Sequence, residues 1–136
     1  MTEAEAKRAL SELRSVDREI WELRQTRHAI RAGLTSVGGS GPVGGSRDPD
    51  RLGRTWARID ELDRRIEERC VYLAGLRAWA VGVIERLPDS RQRSVLRRRY
   101  ILGQRWERIA RELHYDVRQI YRLHAQGIRG FAAACQ

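Results

Sequence analysis

The amino-acid sequence predicts an all-α protein. Ala, Leu, Arg and Glu are abundant, whereas Phe occurs once and Pro three times in 136 residues, and this composition favours helix. Apolar residues recur at steps of three and four over two long stretches, and no run alternates with the period of two typical of a strand. Because one Gly- and Ser-rich segment separates the two stretches, we expect two long amphipathic helices followed by a small C-terminal module.

The first predicted helix covers residues 1–33. Thr2 and Glu5 have the spacing of a capping box, in which each side chain accepts a hydrogen bond from the other residue's backbone N–H. The apolar positions that follow form a heptad seam, and its one charged member is Arg27. This seam comprises Ala6, Ala9, Leu13, Val16, Ile20, Leu23, Arg27, Ile30 and Leu34.

Residues 34–51 are predicted to be a flexible linker, because they lack periodicity and offer too little apolar surface to offset the entropy of ordering them. Asp48 and Pro49 fit the N-cap and first position of a second helix, to which we assign residues 52–88. Pro88 is expected to end it. Its apolar face comprises Leu52, Trp56, Ile59, Leu62, Ile66, Cys70, Leu73, Leu76, Ala80, Val83, Ile84 and Leu87.

Two arrangements of the long helices are open. They can fold back on each other as an antiparallel hairpin within one chain, or they can pair between chains as a coiled coil and form a homodimer. The linker is long enough for either arrangement. The broad apolar face of the second helix mildly favours contact with more than one partner helix.

Residues 89–136 are predicted to contain three short helices, of which the last two form a helix-turn-helix. Asp89 caps the first helix and Gly103 closes it. The second helix is Trp106–Leu113, and Asp116 caps the third, whose apolar stripe is Ile120, Leu123 and Ile128. The side chains that point outward are suited to the edges of bases in a DNA major groove, and they are Arg118, Gln119, Tyr121, Arg122 and Gln126.

The basic residues are concentrated in the same segment. The net charge is +9, and residues 90–136 contain eleven basic and three acidic residues, whereas the rest of the chain is nearly balanced. Such a surplus beside a helix-turn-helix indicates a polyanionic partner. The run Arg97–Arg99 cannot point in one direction at 100° per residue, so we expect one stem to pack on the core and keep Arg97 and Arg98 as candidate phosphate contacts.

The remaining chemistry points away from catalysis. Cys70 and Cys135 form neither a disulfide framework nor a ligand cluster, and the three histidines are dispersed. No nucleophilic triad or phosphate-binding glycine loop can be assembled, so we expect no enzyme, no cofactor and no metal. The sequence has no signal peptide and no apolar run of membrane length, so we expect a reducing cytoplasm and no membrane partner.

From Leu87 to Phe131 the sequence is similar to region 4 of bacterial sigma factors, through Leu-Pro-Asp, the arginine-rich helix and the apolar positions of the last two helices. Nearly the whole chain resembles a family of small bacteriophage late-gene transcriptional regulators related to ArpU and RinA. This resemblance implies binding of double-stranded DNA in a bacterial host cell, with the segment from Val117 to Arg129 in the major groove. It also implies that the N-terminal helices dimerise or contact host RNA polymerase.

The resemblance to sigma region 4 places the DNA-reading side chains at Val117, Arg118, Tyr121 and Arg122. This sequence departs from that pattern at three positions. Val117 stands where Arg is frequent, and Arg105 replaces the usual Ser or Thr cap, which frees its guanidinium for phosphate. His114 replaces Gly in the turn, where a left-handed backbone costs about 1 kcal/mol for a residue with a Cβ.

Two other classes of protein share some of these features. The small terminase subunit of phage DNA packaging combines a helix-turn-helix with oligomerising helices and forms rings. A second class would use the region-4-like fold to bind RNA polymerase without touching DNA, and it predicts no salt dependence of DNA affinity.

Overall fold

The protein is all-helical in the computed structural model, which describes residues 1–36 and 49–136, without the side chains of the last two residues before the gap. These ranges contain five α-helices and no strand, so the predicted all-α fold is confirmed. No helix within them is both long enough and apolar enough to cross a lipid bilayer. The helices are α1 (Glu3–Ser36), α2 (Pro49–Glu85), α3 (Ser90–Leu96), α4 (Trp106–Leu113) and α5 (Val117–Ala134), and a π-helical turn, Arg97–Ile101, follows α3.

The helix ends differ from the predicted ones. α1 continues past residue 33 to Ser36, and α2 begins at Pro49 and ends at Glu85, before Pro88. The backbone N–H groups of residues 86 and 87 bond to carbonyls three residues earlier, at 3.0 Å, and this tightened turn closes α2 ahead of the proline. The remainder of the predicted linker, including the Asp48 cap, lies outside the described residues.

Two compact units divide the chain, one formed by residues 17–72 and the other by residues 1–16 and 73–136. In the first unit, Leu23, Leu62 and Ile66 form a buried cluster against which Ile30 and Cys70 pack. Polar pairs set the direction of the two helices, since Glu19 bonds to Arg69 at 3.1 Å and Arg27 bonds to Asp63 at 2.7 Å. Residue numbers rise along one helix as they fall along the other, so the helices pair antiparallel within one chain.

The charged position of the seam is explained by this pairing. The Arg27 side chain is 28% exposed and donates to the Asp63 carboxylate, so a guanidinium can occupy a half-buried seam position. Leu52 and Trp56, predicted on the apolar face of the second helix, are instead 57% and 50% exposed. In the register set by Arg27 and Asp63, these two positions fall opposite the end of α1 or beyond it, so α1 offers them little surface.

The other unit has a tightly packed core. Leu10, Leu87, Leu96 and Phe131 have at most 1% of their surface exposed, and Phe131 meets Trp79 edge to face at 5.5 Å. A Cβ at position 127 of α5 would lie 3.2 Å from the Leu96 side chain, which is tighter than nine in ten real Cβ contacts, so Leu96 would have to shift by a few tenths of an ångström.

A neighbouring cluster in the same unit fixes α5 on the helices before it. It comprises Val95, Ile109, Ala110, Ile120 and Leu123, and the partly buried side chains packed against it are Trp106, Leu113, Tyr115 and Val117. Since α3, α4 and α5 all contribute, the orientation of α5 is determined by the packed core rather than by its connecting turn.

Candidate nucleic-acid interface

A short turn joins α4 to α5. His114 has φ 58° and ψ 39°, which is the left-handed conformation predicted for this position. The backbone N–H of Tyr115 donates to the Ala110 carbonyl at 3.0 Å, so this turn closes α4 as a glycine-type C-cap would. The strain of a side chain in this conformation is retained in the folded protein.

Asp116 starts α5 with a complete capping box. Its carboxylate accepts the backbone N–H of Gln119 at 2.7 Å, and the Gln119 side-chain oxygen accepts the backbone N–H of Asp116 at 3.2 Å. The predicted cap is therefore present. Gln119 was a candidate DNA contact, and the capping box gives its side-chain oxygen a structural partner instead.

The outer face of α5 remains open to solvent over its first three turns. Arg118, Tyr121, Arg122 and Gln126 are all exposed, as the apolar stripe predicted. Neither arginine of this set has an acidic partner among the described residues. Val117, the other predicted contact, is half-buried and packs on the core, so little of its surface is available to a ligand.

An aromatic cluster supports this face from behind. The Trp106 ring meets the Tyr121 ring edge to face at 5.3 Å and the His124 ring at 4.8 Å. The Tyr100 hydroxyl is 2.7 Å from His124 Nε2. Burial, with smaller contributions from the positive charges of Lys7 and Arg99, lowers the pKa of His124 to about 4. The ring is therefore neutral at pH 7, and its hydrogen bond to Tyr100 joins two uncharged groups.

The three arginines that follow α3 have different environments, since successive side chains of a helix point in different directions. Arg97 is exposed and has no acidic partner within the part of the chain that the structure describes. Arg98, predicted to contact phosphate, pairs with Glu112 and lies within 3.3 Å of Ser94 Oγ, so it links the turn to α4. The Arg99 guanidinium lies over the Trp106 ring at 4.3 Å, and Trp106 in turn packs against the buried cluster.

Arg105 lies at the start of α4 and has no side-chain capping bond, as its replacement of Ser or Thr predicted. It lines a shallow groove with Arg108 and Arg111, together with Gly103, Gln104 and Glu107. Glu112 accepts a bond from Arg108 at 3.0 Å, so Arg105 and Arg111 are the cations of this groove that lack an acidic partner in residues 1–36 and 49–136. Arg111 was missed from the sequence, although its spacing from Arg105 and Arg108 places all three near one side of α4.

The far end of α5 differs from the expectation that the segment from Val117 to Arg129 enters a groove. The Arg129 guanidinium lies 3.3 Å from the Glu3 carboxylate at the start of α1. Both side chains are largely exposed, so the pair is weak. Its position nevertheless shows that the beginning of α1 lies beside the last turns of α5, and the unobstructed part of the face is the segment from Arg118 to Gln126.

Comparisons of this chain with protein-family models, with curated proteins and with solved structures gave no match. Within the described ranges, no group of three His, Cys, Asp or Glu side chains is placed to hold a metal ion.

Proposed function

We propose that this protein binds double-stranded DNA, with α4 and α5 acting as a helix-turn-helix and the first half of α5 as the recognition helix. The observation that supports the proposal best is the pair Arg118 and Arg122. These arginines lie one turn apart on a capped helix, are exposed, and have no acidic partner in the described chain. Arginine in this position matches the paired acceptors of guanine in the major groove.

Phosphate contacts would surround this reading face. Arg97, Arg105 and Arg111 are exposed and unpaired in the described residues, and they belong to the π-helical turn and to α4, which precede the recognition helix. Contacts of this kind fix orientation and supply salt-dependent affinity without selecting a sequence. Tyr121 lies between the arginines on α5 and is 49% exposed, so it can contact a thymine methyl group or a sugar.

The biological role that we propose follows the resemblance of the sequence to sigma region 4 and to phage late-gene regulators. The chain would act in the cytoplasm of a bacterial host as a phage-encoded regulator of transcription. Its long helices would then dimerise or contact the host RNA polymerase. The antiparallel pairing within one chain leaves the outer surfaces of those helices for such a partner.

The test is selective binding by purified full-length protein. Duplexes enriched from a random library by the wild-type chain would be used in a mobility-shift assay at fixed salt, with Arg118→Ala/Arg122→Ala as the variant. We expect selectivity to be lost, since each good contact to a base pair contributes about 1–3 kcal/mol of discrimination. A matched control, Arg58→Ala/Arg65→Ala, removes two exposed arginines from α2 and should bind as the wild type does.

Two outcomes would contradict the proposal. Unchanged selectivity in the Arg118→Ala/Arg122→Ala variant would reject the assigned face. A wild-type chain that enriches no duplex, but is retained by RNA polymerase, would indicate the interaction module instead. Light scattering separates the packaging alternative, because a large ring would favour a terminase subunit and a monomer or dimer would favour a regulator.

A further inference from the structure

Trp106, the first residue of α4, packs across one turn of α5. Its ring centroid lies 5.3 Å from that of Tyr121 and 4.8 Å from that of His124, and the ring planes meet at 71° and 74°. Tyr121 and His124 are three residues apart, so they are neighbours on one side of α5. Trp106 therefore contacts α5 at two successive ring positions, and one of them, Tyr121, belongs to the exposed face.

The Trp106 ring is itself held by other parts of the module. The Arg99 guanidinium lies 4.3 Å from the ring centroid and donates to the Gln104 carbonyl oxygen at 3.1 Å. His124 is held in turn by Tyr100, whose hydroxyl lies 2.7 Å from His124 Nε2 and whose side chain is buried. Since Trp106 also packs against the buried cluster, the position of its ring is determined by the core.

Tyr121 is the member of this aromatic group that reaches solvent beside the two unpaired arginines. It is 49% exposed and lies three residues after Arg118 and one before Arg122. At about 100° per residue, its direction is about 60° from that of Arg118. An isolated exposed tyrosine exchanges between staggered rotamers, whereas a ring packed edge to face against a fixed tryptophan is restricted. Tyr121 therefore presents an apolar ring of fixed orientation next to both arginines.

An apolar ring of fixed orientation matches one group of the major groove, the C5 methyl of thymine, because the base edges otherwise present hydrogen-bond donors and acceptors. We infer that Tyr121 packs on a thymine methyl group, and that Trp106 is the positioning residue that holds the Tyr121 ring against it. This inference rests on the proposed function and deepens it. It assigns a preferred base beside the arginine contacts and gives a residue of α4 a part in selecting that base.

The probe is the duplex enriched by the wild-type chain, with deoxyuridine in place of thymidine at one position at a time. Uracil differs from thymine only by the missing methyl group. The measured quantity is the ratio of two dissociation constants for the same protein, with uracil and with thymine. For the wild type we expect a ratio of about four at one position of the site, which is the effect of burying one methyl group.

Variants of the two rings test the two parts of the inference. Tyr121→Ala should bring the ratio to about one, whereas Tyr121→Phe keeps the ring and should retain a ratio of about four. Trp106→Leu leaves Tyr121 in place but removes its edge-to-face partner, so the ratio should fall below about two. Trp106→Phe retains an aromatic ring and should restore most of the wild-type ratio. Partial unfolding lowers the affinity for both duplexes equally, so a merely structural role would not change the ratio.

Trp79→Leu is the matched control. Trp79 also meets an aromatic ring of α5 edge to face, but that ring, Phe131 at 5.5 Å, is fully buried. Trp79→Leu should lower the melting temperature, as Trp106→Leu does, and keep the wild-type ratio. An equal fall of the ratio in both variants would indicate a general effect of loosened packing and would overturn the role of Trp106.

An enriched site that contains no thymine, or one in which uracil changes nothing, would overturn the inference. A wild-type ratio that Tyr121→Ala leaves unchanged would do the same, because another residue would then meet the methyl group. Full retention of the ratio in Trp106→Leu would reject the positioning role. In each case the proposed function would stand if selectivity still depended on Arg118 and Arg122. Failure of the wild-type chain to enrich any duplex would overturn both.

Discussion

In residues 17–72, arginines pair with carboxylates across and along the two helices, whereas in residues 90–136 several exposed arginines have no acidic partner in the described chain. The first region pairs Arg27 and Arg31 with Asp63, Arg69 with Glu19, and Arg64 with Glu61 and Glu68. In the second region one acid, Glu112, is shared by Arg98 and Arg108, and another, Asp116, caps α5.

The comparison shows that the local supply of acids, and not the number of arginines, distinguishes the two regions. Exposed ion pairs contribute little to stability, so those of the antiparallel pair chiefly set its register. Unpaired arginines on one module raise the free energy of the folded state through mutual repulsion and favour a polyanion. Removal of a charged side chain should therefore have a small effect on stability in the first region and a large effect on DNA binding in the second.

The largest expected effect is on the free energy of unfolding, and it tests whether the two units unfold separately. Phe131→Ala removes a fully buried ring that meets Trp79 at 5.5 Å, and it should lower the free energy of unfolding by about 3–5 kcal/mol. Hydrogen exchange read by mass spectrometry should show the loss in residues 73–136. Leu62→Ala, in the other unit, should weaken protection in residues 17–72. Equal loss in both units from Phe131→Ala would mean that they unfold as one body.

The C-terminal module contains a partly buried histidine, His124, that should make its stability sensitive to acid. The pKa of His124 falls from 6.5 to about 4 on folding, mainly through burial, so the unfolded chain binds the proton more tightly. Stability is therefore complete above pH 6.5 and declines as the pH falls toward 4. Denaturation curves between pH 7 and pH 4.5 should show this decline in the wild type, and less of it in His124→Gln. His28→Gln, which changes an exposed ring on α1, should behave like the wild type.

Loss of the α5 cap is expected to have a moderate effect. Asp116→Ala removes the acceptor of the Gln119 backbone N–H and should destabilise the module by about 1 kcal/mol. The Gln119 side chain keeps its partner, because that partner is the backbone N–H of residue 116. Chemical denaturation measures the loss of stability, and a DNA-binding assay measures the loss of affinity that we expect because the recognition helix frays. Asp116→Asn, which keeps an N-cap acceptor, should restore most of both.

The sequence predicted the elements whose signals are local. Helix caps at Thr2, Asp89 and Asp116 have the predicted bonds, since a cap depends on residues two or three positions apart. His114 has the left-handed backbone expected from its place in the turn. The buried stripe of α5 also matches, because burial on one face follows from helical periodicity.

Features that depend on packing were not predictable from the sequence. The resemblance to sigma region 4 places Val117 among the DNA-reading side chains, yet Val117 packs against the buried cluster that α3, α4 and α5 build. Arg98 satisfies the rule for an exposed basic run, but Glu112, fourteen residues later, lies beside it. Leu52 and Trp56 fit the seam and are exposed, since they fall opposite the end of α1 or beyond it. In each case the outcome depends on where other helices pack.

A stabilising change tests the strained turn. His114→Gly replaces a side chain at φ 58° with the residue that adopts this conformation freely, and the folded state should gain up to about 1 kcal/mol. Glycine also increases the entropy of the unfolded chain, which reduces the gain. His114→Asn should give an intermediate result, since asparagine tolerates left-handed backbone better than most residues. Thermal melting that orders the variants differently would show that the His114 side chain makes a stabilising contact.

The smallest expected effect on stability comes from breaking an ion pair. The two regions should differ most clearly in how this change affects DNA binding. Asp63→Asn takes the carboxylate from Arg27 and Arg31 and should lower the free energy of unfolding by about 0.5–1 kcal/mol, with DNA affinity unaltered. Glu112→Gln makes the equivalent change in the module and releases Arg98 and Arg108 from their shared acid.

The measurement for this pair is the salt dependence of binding to a mixed-sequence duplex. Because two further cations become available beside the proposed interface, Glu112→Gln should steepen the slope of log affinity against log salt, whereas Asp63→Asn should not. If both variants bound DNA identically, the absence of an acidic partner would not determine whether an arginine contacts DNA. The two regions would then differ only in composition.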